Sequence, residues 1–275
     1  MSDLNKEMFP YLHGFSEDEQ LRLRRQARFM EHIIYKDIDF SRCKNVIEVG
    51  SGVGAQTDIL LRRFPDLKVI GIDLNDKQLA SARKYFSTKE ELSSRCEFLE
   101  MNAESLSFES NSFDGGFLCW VLEHVPNPSH VLNEVRRVLK PGASVYVNEV
   151  MNATWFLDPY SPNLWKYWMA FNDFQYDQAG DPFVGAKLGN LLSSLGYKNV
   201  QTTPKTLFYD NRSTEQRKET IDYWMDLLLS ASEQLVKSKY VDQQTVDEAV
   251  KEVNRVQKDP NAVFYYTFMQ ATAIK

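Results

Sequence analysis

Three glycines in a short loop, with one acid before them and another about 20 residues after them, could bind a nucleotide-like ligand. Residues 48–54 read Glu-Val-Gly-Ser-Gly-Val-Gly, and Asp73 follows. Glycines let the backbone turn sharply and approach a ligand closely. The free N–H groups where a helix starts suit a carboxylate or a phosphate. The Asp73 carboxylate can accept hydrogen bonds from both hydroxyls of a ribose.

The spacing of the glycines bears on the identity of this ligand. Nicotinamide dinucleotides and S-adenosylmethionine share the ribose, so Asp73 does not separate them. The loop has the form G-x-G-x-G, whereas dinucleotide-binding loops have the form G-x-G-x-x-G. No Tyr-x-x-x-Lys pair follows the fourth predicted strand. Both features argue against the alternative of a nicotinamide-dependent oxidoreductase.

Strands and helices alternate around this loop. The strands are predicted from β-branched and apolar runs, and helices of about ten residues separate several of them. This order is typical of a parallel sheet with helices on both faces. Further helices are predicted over 214–237 and 241–257. The seven predicted strands are 45–49, 67–72, 96–100, 113–120, 143–150, 198–204 and 263–274.

The motifs of residues 45–150 resemble, in order, those of class I S-adenosylmethionine-dependent methyltransferases. Residues 46–54 are similar to motif I, residues 71–75 (Gly-Ile-Asp-Leu-Asn) to the second nucleotide motif, and residues 102–104 (Asn-Ala-Glu) to the adenine-binding segment. The signatures of the methyltransferase type 11 group, the UbiE-like small-molecule enzymes, are matched at 112–114 (Ser-Phe-Asp), 122–125 (Leu-Glu-His-Val) and 139–142 (Leu-Lys-Pro-Gly).

The resemblance implies a Rossmann-like α/β fold with a mostly parallel seven-stranded sheet, and S-adenosylmethionine as the cofactor. It implies in-line methyl transfer to a small organic acceptor at O, N, S or C. Asp73 would hold the ribose, and Asn102, where an aspartate is frequent, can still offer a carbonyl and an amide to the adenine. The implied cofactor-binding residues are Glu48, Gly50, Ser51, Gly52, Asp73, Leu74, Asn102, Ala103, Glu104 and Cys119.

Catalysis of methyl transfer can rest mainly on holding donor and acceptor in line. A base is needed only when the acceptor arrives protonated. His124 is the candidate base because it follows the fourth strand, at the carboxyl end where ligands bind in open α/β sheets. Its alternative role is that of a structural histidine. Glu149 ends the fifth strand and could face the acceptor, or it is a charge at the rim.

The remaining segments predict a lid and a cap on the sheet. Tyr11 and His13 are lid candidates, with a surface turn as the alternative. Trp155, Tyr160 and Trp168 belong to an aromatic stretch that either walls the acceptor site or forms the core of the cap. The single domain 1–275 is predicted to comprise a lid helix (1–40), a cofactor-binding core (41–150) and cap insertions (151–184 and 213–260).

Composition excludes several classes of partner. The net charge of −6 disfavours nucleic acid, and no apolar run approaches the length of about 20 residues that crosses a bilayer. The start of the chain is polar and acidic, unlike a signal peptide. The three cysteines have no metal-ligand spacing, so we expect no metal and a reducing, cytoplasmic location. We expect a monomer or a homodimer.

Two other functions stay open. A non-catalytic cofactor-binding regulator, or pseudoenzyme, would keep the glycine loop but lack a deep acceptor cavity. A peptide or protein methyltransferase would show an open groove where a small-molecule enzyme has a closed pocket.

Overall fold

The computed structural model describes residues 17–275, so Tyr11 and His13 lie outside the described residues. The strands are β1 Asn45–Val49, β2 Lys68–Asp73, β3 Cys96–Glu100, β4 Phe113–Cys119, β5 Leu139–Glu149, β6 Phe156–Asp158, β7 Lys198–Tyr209 and β8 Val263–Ile274. The helices are α1 Glu17–Ile34, α2 Ala55–Arg63, α3 Asp76–Ser87, α4 Glu90–Ser93, α5 Pro128–Val138, α6 Pro162–Asp177, α7 Leu188–Ser194, α8 Thr214–Leu229, α9 Ser232–Lys237 and α10 Gln243–Lys258. Short 3-10 helices are Tyr35–Asp37, Leu122–His124, Asn152–Thr154, Val184–Lys187 and Asn211–Ser213.

The strands form one mostly parallel sheet in the order β3-β2-β1-β4-β5-β8-β6, with β7 paired to β8. Strands β1 to β5 run parallel, whereas β8 runs antiparallel to β5, β6 and β7. The predicted α/β class and mostly parallel sheet are confirmed, with β6 as a short eighth strand. The strand order reverses between β1 and β4, and ligands bind at such switch points.

Helices cover both faces of the sheet, which explains the apolar strands. In β1, Val46 packs into a core with α1, α2 and α3, whereas Ile47 and Val49 pack into a second core with α5 and α7. A strand buried on both faces is apolar along its whole length. Helix α5 begins where the Asn127 side chain accepts the N–H of His130, and its apolar residues then recur at helical spacing.

Several predicted boundaries are wrong, and the strand predicted over 143–150 is β5, which already begins at Leu139. The sixth predicted strand, 198–204, is β7, and it continues past Pro204 to Tyr209. In the described part of the chain β7 pairs only with β8, so its other edge needs no backbone N–H donor and can contain a proline. The helix predicted over 214–237 is two helices, α8 and α9. Near the break, the hydroxyls of Ser230 and Ser232 donate to backbone carbonyls three residues back, which competes with regular helical bonding.

The two cap segments pack against each other and against β8. The Glu252 carboxylate of α10 accepts the backbone N–H of Leu164 and the side-chain amide of Asn163 at the start of α6. Trp224 of α8 packs on Phe264 and Tyr266 of β8. No helix within residues 17–275 has both the length and the apolar character needed to span a membrane.

Candidate functional site

Two glycines shape the loop between β1 and α2 in different ways. Gly50 has a φ of +71°, and a Cβ there would lie 2.3 Å from a methyl carbon of Val121. Gly52 has a φ of +49°, but a Cβ there would have only Asp73 Oδ2, at 4.0 Å, within 4 Å. Gly50 therefore lets the loop pack on the turn after β4, whereas Gly52 leaves room for a ligand.

Asp73 ends β2 directly beside this loop. Its Oδ2 accepts the N–H of Gly52 and its Oδ1 accepts the N–H of Asn75, both at 2.9 Å. Burial raises the pKa of Asp73, whereas the backbone N–H groups and the His124 ring oppose that rise. The carboxylate is thus fixed in place with further lone pairs available to a ligand.

A cavity of about 770 Å³ opens along the carboxyl ends of β1, β2 and β4. Its volume lies within the range of roughly 300–1,000 Å³ that small-molecule sites occupy. The residues that the sequence assigned to the cofactor and that line this cavity are Gly50, Ser51, Gly52, Asp73, Leu74, Asn102, Ala103, Glu104 and Cys119. The structure therefore brings together four separate segments of the sequence.

Glu48 lies beneath the loop and is not among the residues that line the cavity. It is 2% exposed, and Thr57 donates a hydrogen bond of 2.5 Å to its Oε2. Burial raises the pKa of Glu48 to about 8, the Thr57 hydroxyl opposes this, and the charge of Asp73 adds to it. The geometry places Glu48 where it supports the loop from below, and its predicted contact with the methionine part stays a prediction.

The loop and its surroundings fit S-adenosylmethionine. The hydroxyl oxygen of Ser51 is buried without a hydrogen-bond partner, and Gly52 faces open space. At the adenine end, Asn102 Oδ1 accepts the N–H of Glu104 at 2.9 Å, which shapes the turn and leaves its amide nitrogen for a ligand. Asp73 and the loop N–H groups would hold the ribose and the methionine part.

Comparisons with known proteins agree with this geometry. Residues 47–147 match the family model described as methyltransferase domain. The sterol 24-C-methyltransferase of Saccharomyces cerevisiae is 35% identical over 123 residues, which cover 45% of this chain and 31% of that protein. The demethylmenaquinone methyltransferase of Lactococcus lactis is 29% identical over 160 residues, which cover 56% of this chain and 63% of that protein.

Residues 47–147 therefore carry a methyltransferase domain, which is similar to those of the class I S-adenosylmethionine-dependent, type 11, UbiE-like group. The chain spans about a third of the length of the sterol methyltransferases that it matches. A structure of Haemonchus contortus phosphoethanolamine N-methyltransferase 2 in complex with S-adenosyl-L-methionine has the same fold, with a TM-score of 0.57 and 16% identity. That likeness covers 100% of this chain and 57% of the other.

Side chains from α1, α6, α8 and β8 form one wall of the cavity. Of the predicted cap contacts, Trp168 lines the cavity, Trp155 packs behind Trp168, and Tyr160 is 70% exposed. Several other wall residues were not predicted from the sequence, because most of them lie outside the cofactor motifs along the chain. These are Gln26, Met30, Trp120, Glu123, Asn152, Phe171, Tyr223, Trp224, Leu227 and Tyr266.

His124 and Glu149 lie on opposite sides of the turn after β4. His124 lines the cavity, and its Nε2 is 3.7 Å from Glu123 Oε1. Glu149 is buried beneath the turn and does not belong to the cavity wall. Its Oε1 accepts the N–H groups of Val121 and Leu122 at 3.0 and 2.8 Å. This geometry suits Glu149 to positioning the turn that carries Glu123 and His124.

Gly52→Val is expected to fold and to lose binding of S-adenosylhomocysteine, because its side chain would enter the open space at the loop. The left-handed backbone should cost about 1–3 kcal/mol of stability. Gly142→Val is the matched control, since Gly142 also has a positive φ (+83°) and open space but lies near the start of β5, outside the cavity. Equal calorimetric binding by both variants would contradict the role of the loop.

The buried carboxyls of Glu48 and Glu149 are expected to make stability depend on pH. Burial, in each case the largest cause, raises both pKa values to about 8, above the value of about 4.3 in an unfolded chain. Between these values the folded state keeps protons that the unfolded state releases, so the free energy of unfolding falls as pH rises. Each group adds up to about 1.4 kcal/mol per pH unit.

Urea denaturation between pH 5 and 8 checks this dependence. Glu149→Gln should show a shallower decline than the wild type, whereas Glu97→Gln, at an exposed position on β3, should keep the wild-type slope. A Glu149→Gln slope equal to that of the wild type would show that Glu149 is already ionised in the folded protein.

Proposed function

We propose that this chain transfers the methyl group of S-adenosylmethionine to a small organic acceptor. The observation that carries the proposal is a single cavity, lined on one side by the cofactor motifs and on the other by aromatic side chains of the cap. A cofactor and an acceptor that bind side by side in one cavity can meet directly. The cap lies outside residues 47–147, the part of the chain that matches the family model. The identity of the acceptor therefore depends on the cap of this chain more than on the family to which the model belongs.

The loop residues would hold the cofactor with its reactive end toward the cap. S-adenosylmethionine supplies a methyl group on a positively charged sulfur, which leaves as a neutral thioether. Asp73 would bind the ribose, and the residues from Asn102 to Glu104, which also line the cavity, would face the adenine. The cap side chains orient the acceptor and exclude water. Fixing two reactants in line can contribute up to about 7–11 kcal/mol to catalysis in favourable cases.

His124 is proposed as the base for an acceptor that arrives protonated. We expect His124→Ala to lower turnover by roughly 100-fold or more, with unchanged affinity for S-adenosylhomocysteine. His130→Ala, at an exposed position on α5, is the matched control. Full turnover by His124→Ala would remove the base role, and loss of folding, seen by circular dichroism, would assign His124 to the structure.

Two alternatives are separated by one labelling experiment. The purified chain is incubated with S-adenosylmethionine carrying a deuterated methyl group, together with cell extract that has been divided at about 1 kDa. Label in compounds of low mass supports the proposal, whereas label only in peptides or proteins supports a protein methyltransferase. Label in neither fraction, with tight binding of S-adenosylhomocysteine, indicates a non-catalytic regulator.

We also propose that the protein works in a reducing compartment such as the cytoplasm, as a monomer or homodimer. Its three cysteines are free, and no group of His, Cys, Asp or Glu within residues 17–275 could hold a metal ion.

A further inference from the structure

Aromatic rings from two helices and one strand wall the acceptor side of the cavity. Tyr223 and Trp224 of α8 have ring centroids 5.7 Å apart, and Trp224 and Tyr266 have centroids 4.4 Å apart. Trp168 and Phe171 of α6 stack at 5.6 Å with planes 9° apart. All five line the cavity. The faces of such rings attract cations as well as apolar groups.

Glu123 brings a carboxylate to the same wall and is only 8% exposed. Its Oε2 accepts the side-chain amide of Gln175 at 2.9 Å, and its Oε1 is 3.7 Å from the His124 ring. Burial raises the pKa of Tyr223 and of Tyr266, and the charge of Glu123 raises both further, whereas the charge and hydrogen bond of Arg22 lower the pKa of Tyr223. The carboxylate therefore lies close to two rings of the wall.

Glu123 adds a negative charge at this end of the cavity. Arg22 also lines the cavity, but Glu19 accepts two of its hydrogen bonds, at 2.6 and 2.7 Å, and balances its charge. Glu149 lies close to Glu123. Burial is the largest cause that raises the pKa of Glu149, and the charge of Glu123 is the next. A carboxylate in an apolar wall is costly. A purely apolar acceptor would not offset the cost of burying the Glu123 carboxylate, whereas a positively charged acceptor would.

We infer that the acceptor carries a positively charged amine, which binds among these aromatic rings and against Glu123. This inference rests on the proposed function, because it names the acceptor of the same site. The ammonium proton passes to the ring of His124, the proposed base, while the Glu123 carboxylate keeps its negative charge. The nitrogen lone pair then forms the N–CH3 bond while the S–CH3 bond breaks and its electron pair stays on sulfur. His124 afterwards releases its proton to solvent.

The test uses the full chain saturated with S-adenosylhomocysteine and two probes of equal shape. Benzyltrimethylammonium carries a positive charge, and neopentylbenzene is its neutral carbon isostere. Binding is followed by tryptophan fluorescence, since Trp168 and Trp224 line the cavity. We expect the cation to bind at least tenfold more tightly than the isostere. Glu123→Gln should remove that preference and leave the neutral probe and S-adenosylhomocysteine unaffected, and Glu97→Gln should change nothing.

The outcomes separate this inference from the proposed function. If S-adenosylhomocysteine does not bind, the proposed function fails and the inference fails with it. If it binds, but the neutral probe binds as tightly as the cation or neither probe binds, only the inference is overturned. A cation preference that survives in Glu123→Gln also overturns it, because the charge of Glu123 would then have no part in recognition.

Discussion

Asp73→Ala is expected to weaken binding of S-adenosylhomocysteine by at least about 100-fold. The substitution removes the acceptor for both ribose hydroxyls, and hydrogen bonds to a charged group contribute about 1.5–3 kcal/mol each. It also frees the N–H of Gly52, which Asp73 holds at 2.9 Å, so the loop loses an anchor. Isothermal titration calorimetry on the purified variant gives the affinity directly.

Two further variants sharpen this test. Asp73→Asn keeps one acceptor oxygen and should fall between the wild type and Asp73→Ala. Asp66→Ala changes a side chain that is 78% exposed and paired with Lys44 at 3.3 Å, so it should bind as the wild type does. Unchanged affinity in Asp73→Ala would mean that the ribose lies elsewhere.

Arg217→Ala is expected to lower the free energy of unfolding by about 3–5 kcal/mol. The Arg217 side chain is fully buried, and its guanidinium donates to the carbonyls of Pro260 and Ala262 at 3.1 and 2.7 Å and of Asp259 at 2.9 Å. Removing it leaves three carbonyls without this donor and opens a void between α8 and the start of β8. Urea denaturation followed by tryptophan fluorescence measures the loss.

The control for Arg217→Ala is Arg212→Ala, because the side chain of Arg212 is 74% exposed and its ion pair with Asp210 is in solvent. We expect little change in that variant. Since α8 also carries Tyr223 and Trp224, Arg217→Ala should weaken binding of the cationic probe as well as stability. Wild-type stability in Arg217→Ala would show that water replaces the guanidinium.

The structure brings most of the residues that the sequence assigned to the cofactor into one cavity, because their sequence signals are local. The strand predicted over 45–49 has the observed bounds of β1, and so has the one predicted over 263–274, which is β8. The glycine loop and Asp73 follow directly from the ends of two strands. Residues at the same end of neighbouring parallel strands lie close together in space. The order of the motifs along the chain was therefore enough to predict that they share one site.

The cap half could not be predicted because its contacts are distant along the chain. Helix α6 carries aromatic side chains on every face, with Tyr167 buried and Trp165 38% exposed, so no helical period stands out. The contact of Trp224 with Tyr266 joins two elements that no motif connects. The part played by Glu149 depends on the turn after β4 folding over its carboxylate, which only the tertiary structure shows.

The central claim, that the loop and Asp73 bind an adenosyl cofactor and not a dinucleotide, is tested most directly by calorimetric titration of the purified chain. S-adenosylhomocysteine is titrated in one cell and NAD in a parallel cell. The account predicts one site of about micromolar affinity for S-adenosylhomocysteine and no heat for NAD. Binding of NAD alone, or of neither compound, would contradict it.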